Sequence, residues 1–338
     1  MKKLLAAGLA VLALLPRPAR ADGGLLQSYS RDHRLVSEEY RRQGALITGP
    51  EGWARRVFSY DEEGHLTREE CLGIDGEPVL STRGYCARAF EYRNGTAVYE
   101  AYLDEDGAYI LPRGVPCAVT VREVDGEGRV LRESYFDVAG RACLHPEKGF
   151  ACAVYDRDPH GNPTREAWFD QDLEPMEING CHQVIRVFDE QSRLMREQYY
   201  ALDGQSPEGG PAAREWRYDQ RGLITEESFY GPDGNLTPCA EGYALALYDH
   251  DGAGREVSRR YLGPTGEPAR VDGCHQIITA YDDMGRKASE TFLDENGNGT
   301  VRGDGAAALV YRYDNDGDLT GMVAYDLAGE PVRTLPAP

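Results

Sequence analysis

The chain has 338 residues, 28% of them charged, with a formal net charge of −20 and a mean hydropathy of −0.56. Nucleic acids and anionic membranes attract basic surfaces, so this acidity argues against both as partners. A membrane-spanning protein is also excluded, because the only continuous apolar run, at residues 4–15, is too short to cross a bilayer.

Residues 1–21 have the pattern of a secretory signal peptide. Lys2 and Lys3 give a charged start, the apolar run follows, and Ala19-Arg20-Ala21 is a small-x-small cleavage site. An interfacial anchor helix is the alternative. Cleavage removes four positive charges, at residues 2, 3, 17 and 20, and moves the formal charge from −20 to −24. We therefore expect an exported protein, periplasmic or extracellular.

Residues 22–333 are built from a module of about 31 residues that occurs ten times. Its marker is an aromatic residue, an aspartate and then a turn glycine, as in Tyr281-Asp282 before Gly285. The ten anchors, 30 to 33 residues apart, are at residues 29, 60, 92, 124, 155, 188, 218, 248, 281 and 313. Repeats bury their apolar faces on their neighbours, so one continuous array is expected, followed by a frayed tail at 334–338.

One repeat predicts one β-hairpin. Residues 118–125 are rich in β-branched side chains, Gly126 and Gly128 form a turn, and residues 129–137 alternate strictly. No segment of the mature chain shows a helical period with caps. The predicted fold is all-β, with tandem β-hairpin repeats in an elongated, twisted antiparallel sheet or a β-solenoid.

The second strand of each hairpin has a recurring glutamate and a recurring aromatic residue. Counted from the turn glycine, position five is glutamate in eight repeats: Glu38, Glu69, Glu100, Glu133, Glu166, Glu197, Glu227 and Glu290. Position seven, on the same strand face, is aromatic in eight: Tyr40, Tyr102, Tyr135, Trp168, Tyr199, Phe229, Tyr261 and Phe292. Glutamates of successive repeats would lie roughly 10 Å apart, too far to share one ion. We expect each to pair with an arginine or a backbone donor.

Two segments, Tyr281–Arg286 and Tyr60–Leu66, resemble the YD (Rhs-type) repeats of bacterial exported proteins. The resemblance covers nearly all of the mature chain and rests on the tenfold recurrence of the motif. It implies β-hairpin repeats that build long coiled sheets, sometimes closed into shells around a toxin. The spacing here is longer than in typical Rhs arrays, no toxin-like domain is recognised, and the resemblance transfers no catalytic residue.

Two acidic turns have the spacing of calcium loops. Asp294, Asn296 and Asn298 match the start of an EF-hand loop, but Gly305 stands where a bidentate glutamate is required. Residues 314–318 supply three aspartates with a misplaced glycine. Hairpin turns use the same residue types, so we expect no metal and no cofactor, with calcium as the alternative.

Eight cysteines in an exported chain indicate disulfides, with unpaired thiols as the alternative. Cys143 and Cys152 flank one loop and are the first predicted pair; Cys71 and Cys86 are the second. The sequence Gly-Cys-His-Gln occurs twice, at residues 180–183 and 273–276. Adjacent strand residues point to opposite faces, so neither copy forms a catalytic dyad, and a zinc site shared by both would require the sheet to coil back on itself.

The sequence predicts a non-catalytic binding or adhesion module for a glycan or a protein. The candidate binding residues are tyrosines beside the turns, expected to form an exposed row, with packing against the adjacent hairpin as the alternative: Tyr92, Tyr218, Tyr248, Tyr281 and Tyr313. A structural spacer or an assembly subunit joined through sheet edges is the second interpretation. A glycan hydrolase using two carboxylates is the third.

Overall fold

A computed structural model describes residues 24–337, which form 22 β-strands and, within that range, no helix. The prediction of an all-β fold made of tandem hairpins is confirmed. The predicted signal peptide, residues 1–21, lies outside the described residues. The strands are β1 (Gly24–Tyr29), β2 (Leu35–Arg42), β3 (Ala45–Leu46), β4 (Arg55–Tyr60), β5 (Leu66–Leu72), β6 (Ala87–Arg93), β7 (Thr96–Leu103), β8 (Val119–Val124), β9 (Val130–Phe136), β10 (Cys152–Arg157), β11 (Pro163–Phe169), β12 (Gln183–Phe188), β13 (Leu194–Tyr200), β14 (Ala213–Tyr218), β15 (Ile224–Tyr230), β16 (Leu245–His250), β17 (Glu256–Leu262), β18 (Gln276–Tyr281), β19 (Lys287–Leu293), β20 (Ala308–Tyr313), β21 (Leu319–Tyr325) and β22 (Pro331–Pro336).

The chain divides into two compact units. The first contains residues 24–156 and 167–178, and the second contains residues 157–166 and 179–337. In the first unit, antiparallel pairing runs from β1 to β2, then β4, and onward strand by strand to β10, with the short β3 on the end of β2. In the second unit, each strand from β12 to β22 pairs with the next. One continuous array over residues 22–333 stays a prediction.

The recurring aspartate and glycine build a specific hairpin turn. The Asp219 amide donates to the Leu223 carbonyl at 2.9 Å, the Gly222 amide donates back to Asp219, and Gly222 has φ +83°. This is a type I turn followed by a left-handed residue, and the register shifts at Tyr218. The Asp219 carboxylate accepts the amides of Arg221 and Leu223, both at 2.9 Å. The same turn occurs at Asp61, Asp125, Asp158, Asp189, Asp251, Asp282 and Asp314.

The fifth and eighth repeats correct two anchors assigned from the sequence. In the fifth repeat the turn begins at Asp158, whose amide donates to Asn162, and not at Asp156. In the eighth repeat the turn begins at Asp251, whose amide donates to Arg255, and not at Asp249. Strand β16 therefore continues through His250, and Tyr248 lies two residues before the aromatic position of the other repeats. The sequence was misassigned because two aspartates, Asp249 and Asp251, each stand before a glycine at the spacing of the turn motif, and only Asp249 follows an aromatic residue of the usual type.

A small residue separates neighbouring hairpins. An alanine immediately before the first strand is completely buried in several repeats, and its amide donates to the last residue of that hairpin: Ala54, Ala118, Ala151 and Ala244. Zero exposure leaves no space for a larger side chain at this position. In several repeats the second strand is followed by a turn and a returning segment that forms one more bridge, for example Leu103 with Tyr109.

The C-terminal segment is more ordered than the sequence predicts. The expected frayed tail begins at residue 334, but Thr334 and Leu335 belong to β22 and pair with Val323 and Met322 of β21. Leu335 also packs on the apolar cluster that includes Phe292. Partial burial of this leucine and the ladder to β21 together account for the order.

Candidate functional site

The position-five glutamates form a ladder of ion pairs with arginines, as predicted. Arg56 connects two successive repeats: its Nε donates to Glu38 at 2.9 Å and its Nη1 to Glu69 at 3.2 Å. Arg186 connects Glu197 at 2.8 Å and Glu166 at 3.2 Å in the same way. These carboxylates are engaged in holding hairpins together.

Other repeats use the same chemistry with different donors. The pairs are Arg88 with Glu100 and Glu69, Arg122 and Lys148 with Glu133, Arg214 with Glu227, and Lys287 with Glu290. Burial lowers the pKa of Arg186, but the hydrogen bond to Glu197 and the charges of both glutamates raise it above its usual value. The ladder is therefore a row of compensated charges inside the sheet.

Three of the five candidate tyrosines bind the backbone of the preceding hairpin. The hydroxyl donates to a carbonyl 24 to 26 residues earlier: Tyr218 to Leu194 at 2.8 Å, Tyr281 to Glu256 at 2.9 Å and Tyr313 to Lys287 at 2.9 Å. An arginine lies over each ring, with centroid distances between 4.4 and 4.9 Å: Arg193, Arg255 and Arg286. Both contacts join one repeat to the previous one.

The remaining two tyrosines also contact a neighbouring repeat. The Tyr248 hydroxyl donates to Glu227 at 2.8 Å, and Tyr92 stacks on His65 with ring centroids 4.6 Å apart. Burial, followed by the hydrogen bond to Glu227, raises the pKa of Tyr248 well above its usual range. All five tyrosines are half-buried, so the exposed row expected from the sequence does not form. Ligand binding by these residues stays a prediction.

The cysteines differ from the predicted pairing. All eight are free thiols, and Cys143 Sγ lies 3.6 Å from Cys117 Sγ. Cys143 lies beside Tyr135 in the sheet, whereas Cys152 pairs with Ser134. Paired residues share a face and successive residues alternate, so Cys143 and Cys152 point to opposite faces. The sequence could not show this, because it depends on the strand register.

The acidic turns use their carboxylates internally. Asp294 accepts the amides of Asn296 and Asn298, at 2.9 and 2.8 Å, and Asp314 caps its own turn in the same way. Within residues 24–337, one group brings three metal-ligand side chains within 4.8 Å: Asp61, Glu63 and His65. Asp61 also accepts the Gly64 and His65 amides, and Glu63 is exposed, so this group has the form of a turn cap.

The second Gly-Cys-His-Gln segment begins within a two-residue turn formed by Asp272 and Gly273, which have φ values of +49° and +87°. Cys274 is 2% exposed, and His275 Nδ1 lies 3.2 Å from the Ala269 carbonyl oxygen. Here the Cys274 thiol donates to the Val271 carbonyl at 3.2 Å, so the cysteine and the histidine each have a separate structural contact.

The first and last strands carry the outer backbone edges. Strand β1 pairs with β2 on one side and, within residues 24–337, with no strand on its other side. Strand β22 likewise pairs with β21 alone in that range. Leu25 and Tyr29 of β1 are 46% and 43% exposed. No helix in the described part of the chain has the length and apolar character needed to span a membrane.

No protein-family model matches this sequence, and no curated protein matches it. Solved structures with similarity include a Tc holotoxin pore of Photorhabdus luminescens with a mutation in TccC3, at 13% identity and a TM-score of 0.36. A TcdB2-TccC3-Cdc42 crystal structure is similar at 14% identity and a TM-score of 0.35. The matches cover 93% and 91% of this chain but only 16% of each of those chains. Likenesses of this size carry no argument about function.

Proposed function

We propose that this chain is an exported, non-catalytic scaffold protein that assembles through the outer edge of strand β1. One observation carries the proposal: the glutamates, arginines and tyrosines that recur in most repeats are used between neighbouring hairpins. The outer edge of β1, in contrast, keeps unpaired backbone donors and acceptors among residues 24–337. Export is inferred from the signal-peptide pattern of residues 1–21.

Strand β1 has the chemistry of an edge that accepts another strand. Proteins commonly protect such edges with proline, charge or bulges. Strand β22 has Pro331 and Pro336 at its ends and Arg333 between them, whereas β1 (GLLQSY) has neither proline nor a charged residue. Two copies of β1 pairing antiparallel would form a closed two-fold dimer, because the same strand supplies both halves of the interface. We therefore propose a second copy of the chain as the partner.

Analytical ultracentrifugation of the mature chain, residues 22–338, tests this assembly. We expect conversion from monomer to dimer as the concentration rises, and loss of the dimer in Leu25→Lys, because a charge on an edge strand opposes pairing. Leu111→Lys, at a 52% exposed loop position, is the matched control and should dimerise like the wild type. A wild type that stays monomeric, or equal dimerisation of both variants, would refute the proposal.

Recognition of a glycan or of a different protein at the cell surface is the other proposed function. The five half-buried tyrosines do not favour it, since they do not present an exposed aromatic surface. A glycan array and a pull-down with the mature chain, each with and without calcium, test it directly. Saturable binding that is lost in Tyr281→Ala but retained in Leu111→Lys would support recognition over self-assembly.

A further inference from the structure

Two thiols of the first compact unit lie in contact. The sulfur atoms of Cys117 and Cys143 are 3.6 Å apart. Cys117 is 4% exposed and lies two residues before β8, and Cys143 is half-buried in the segment that returns after β9. Both pack in a cluster with Tyr135 and Phe150. A disulfide has a sulfur separation of about 2.05 Å, so closure requires the sulfurs to approach by about 1.5 Å.

We propose that Cys117 and Cys143 form a reversible disulfide that fastens the segment before β8 to the segment after β9. The Cys143 thiolate attacks a disulfide oxidant, such as glutathione disulfide, and releases one thiol from it. Cys117 loses its proton and attacks the mixed disulfide, which releases the second thiol. The pair gives up two protons and two electrons, and the oxidant is reduced to two thiols.

Accessibility sets the order of these steps. Burial, and then the contact with Cys143, raise the pKa of Cys117 to about 12, so this thiol stays protonated in the reduced protein. Cys143 is the more exposed of the two and can meet the oxidant first. The second predicted pair, Cys71 and Cys86, is less suited, because both thiols are 1% exposed and therefore less accessible to an oxidant than Cys143.

The disulfide would enclose one complete hairpin. The two cysteines are 26 residues apart, and strands β8 and β9, Val119–Phe136, lie between them. Closing this loop restricts the unfolded ensemble of the hairpin more than its native state. The oxidised protein should therefore open locally less often at β8 and β9, while the second compact unit is unaffected. An exported protein meets the oxidising conditions under which such a bond persists.

Thiol counting and peptide mapping test the pair on the mature chain. We use a Cys239→Ser background, because Cys239 is the other thiol that is not fully buried among the eight. After glutathione disulfide treatment, maleimide labelling of the unfolded protein should show two fewer free thiols, and mapping should find a Cys117–Cys143 peptide. Amide exchange in β8 and β9 should slow at least tenfold relative to the reduced sample, with β16 and β17 unchanged.

Two further variants give the controls. Cys143→Ser should lose the cross-link, and Cys152→Ser should keep it, since Cys152 lies on the opposite face. The Cys239→Ser protein reduced with a phosphine is the matched sample for folding. The proposal is overturned if all thiols stay free, if the cross-link contains Cys152, or if glutathione remains on Cys143 as a stable mixed disulfide.

Discussion

Arg56 is the cation that compensates two buried glutamates of neighbouring hairpins. Glu38 and Glu69 are 4% and 6% exposed, and both accept hydrogen bonds from its guanidinium. Burial lowers the pKa of Arg56, but the hydrogen bond and charge of Glu38 and the charge of Glu69 raise it above its usual value, so the side chain stays protonated. Arg56→Met keeps the aliphatic stem and removes the charge from between the two carboxylates.

The structure sets the size of the expected effect. Removing one partner of a buried ion pair costs about 3–5 kcal/mol. The Arg56 side chain is 25% exposed, and Glu69 keeps its ion pair with Arg88 at 3.7 Å. We therefore expect a loss of unfolding free energy at the low end of this range, about 3 kcal/mol. With about 1.4 kcal/mol per factor of ten, this corresponds to a roughly 100-fold change in the local opening equilibrium.

Amide hydrogen exchange measured by mass spectrometry resolves the effect strand by strand. We expect amides of β2, β4 and β5 to exchange about 100-fold faster in Arg56→Met, with β14 to β17 unchanged. Arg217→Met is the matched control, because the Arg217 side chain is 67% exposed and lies 3.5 Å from Glu226. If Arg56→Met exchanges no faster than Arg217→Met, the ion-pair ladder does not stabilise the repeats and this reasoning is wrong.

Three other predictions follow from the turns and the tyrosines. Tyr281→Phe removes a 2.9 Å hydrogen bond to the preceding hairpin and should lower the unfolding free energy by about 1 kcal/mol in urea titration. Gly128→Ala should lower the unfolding free energy by about 2 kcal/mol or more in the same assay, because φ is +80° and the new Cβ would lie 2.4 Å from the Asn94 carbonyl oxygen. Gly126→Ala is the control and should be nearly neutral, because the space around the added Cβ is open. Backbone amides lower the pKa of Asp219 below its usual value of 3.8, so the folded state binds fewer protons than the unfolded state. The contribution of this carboxylate to stability should therefore be lost as the pH falls below about 4. Urea midpoints measured against pH in wild type and in Asp219→Asn will test this.

The sequence predicted the features that depend on local chemistry. The turn at Asp219 follows from residues within one five-residue segment, and the hairpin strands at 119–124 and 130–136 lie within the ranges predicted from alternation. The pairing of Glu38 and Glu69 with an arginine was predictable too, because strand spacing keeps the glutamates apart. Local signals can also mislead, as at Asp251, where two overlapping matches to the motif differ by two residues.

Features that depend on distant residues were not predictable. The Tyr218 hydroxyl donates to the Leu194 carbonyl, 24 residues earlier in the chain. A single sequence does not show which hairpin lies next to the tyrosine ring, so this contact could not be predicted. The partner of Cys143 depends in the same way on the strand register and on which face each sulfur occupies. The pairing of Thr334 and Leu335 in β22 was missed because chain ends are usually frayed, whereas tertiary packing of Leu335 favours a strand here.

The eighth repeat shows that the ladder depends on charge balance more than on residue identity. Its position five is Arg259, where most repeats have glutamate, and this arginine lies 2.9 Å from Glu256 on its own strand. Tyr248, directly opposite Arg259, donates to Glu227 of the preceding repeat. The sign of the charge is reversed and the compensation is kept. A row that tolerates this reversal is suited to internal stabilisation of the sheet, because a binding site for one ligand would require the same charge at each position.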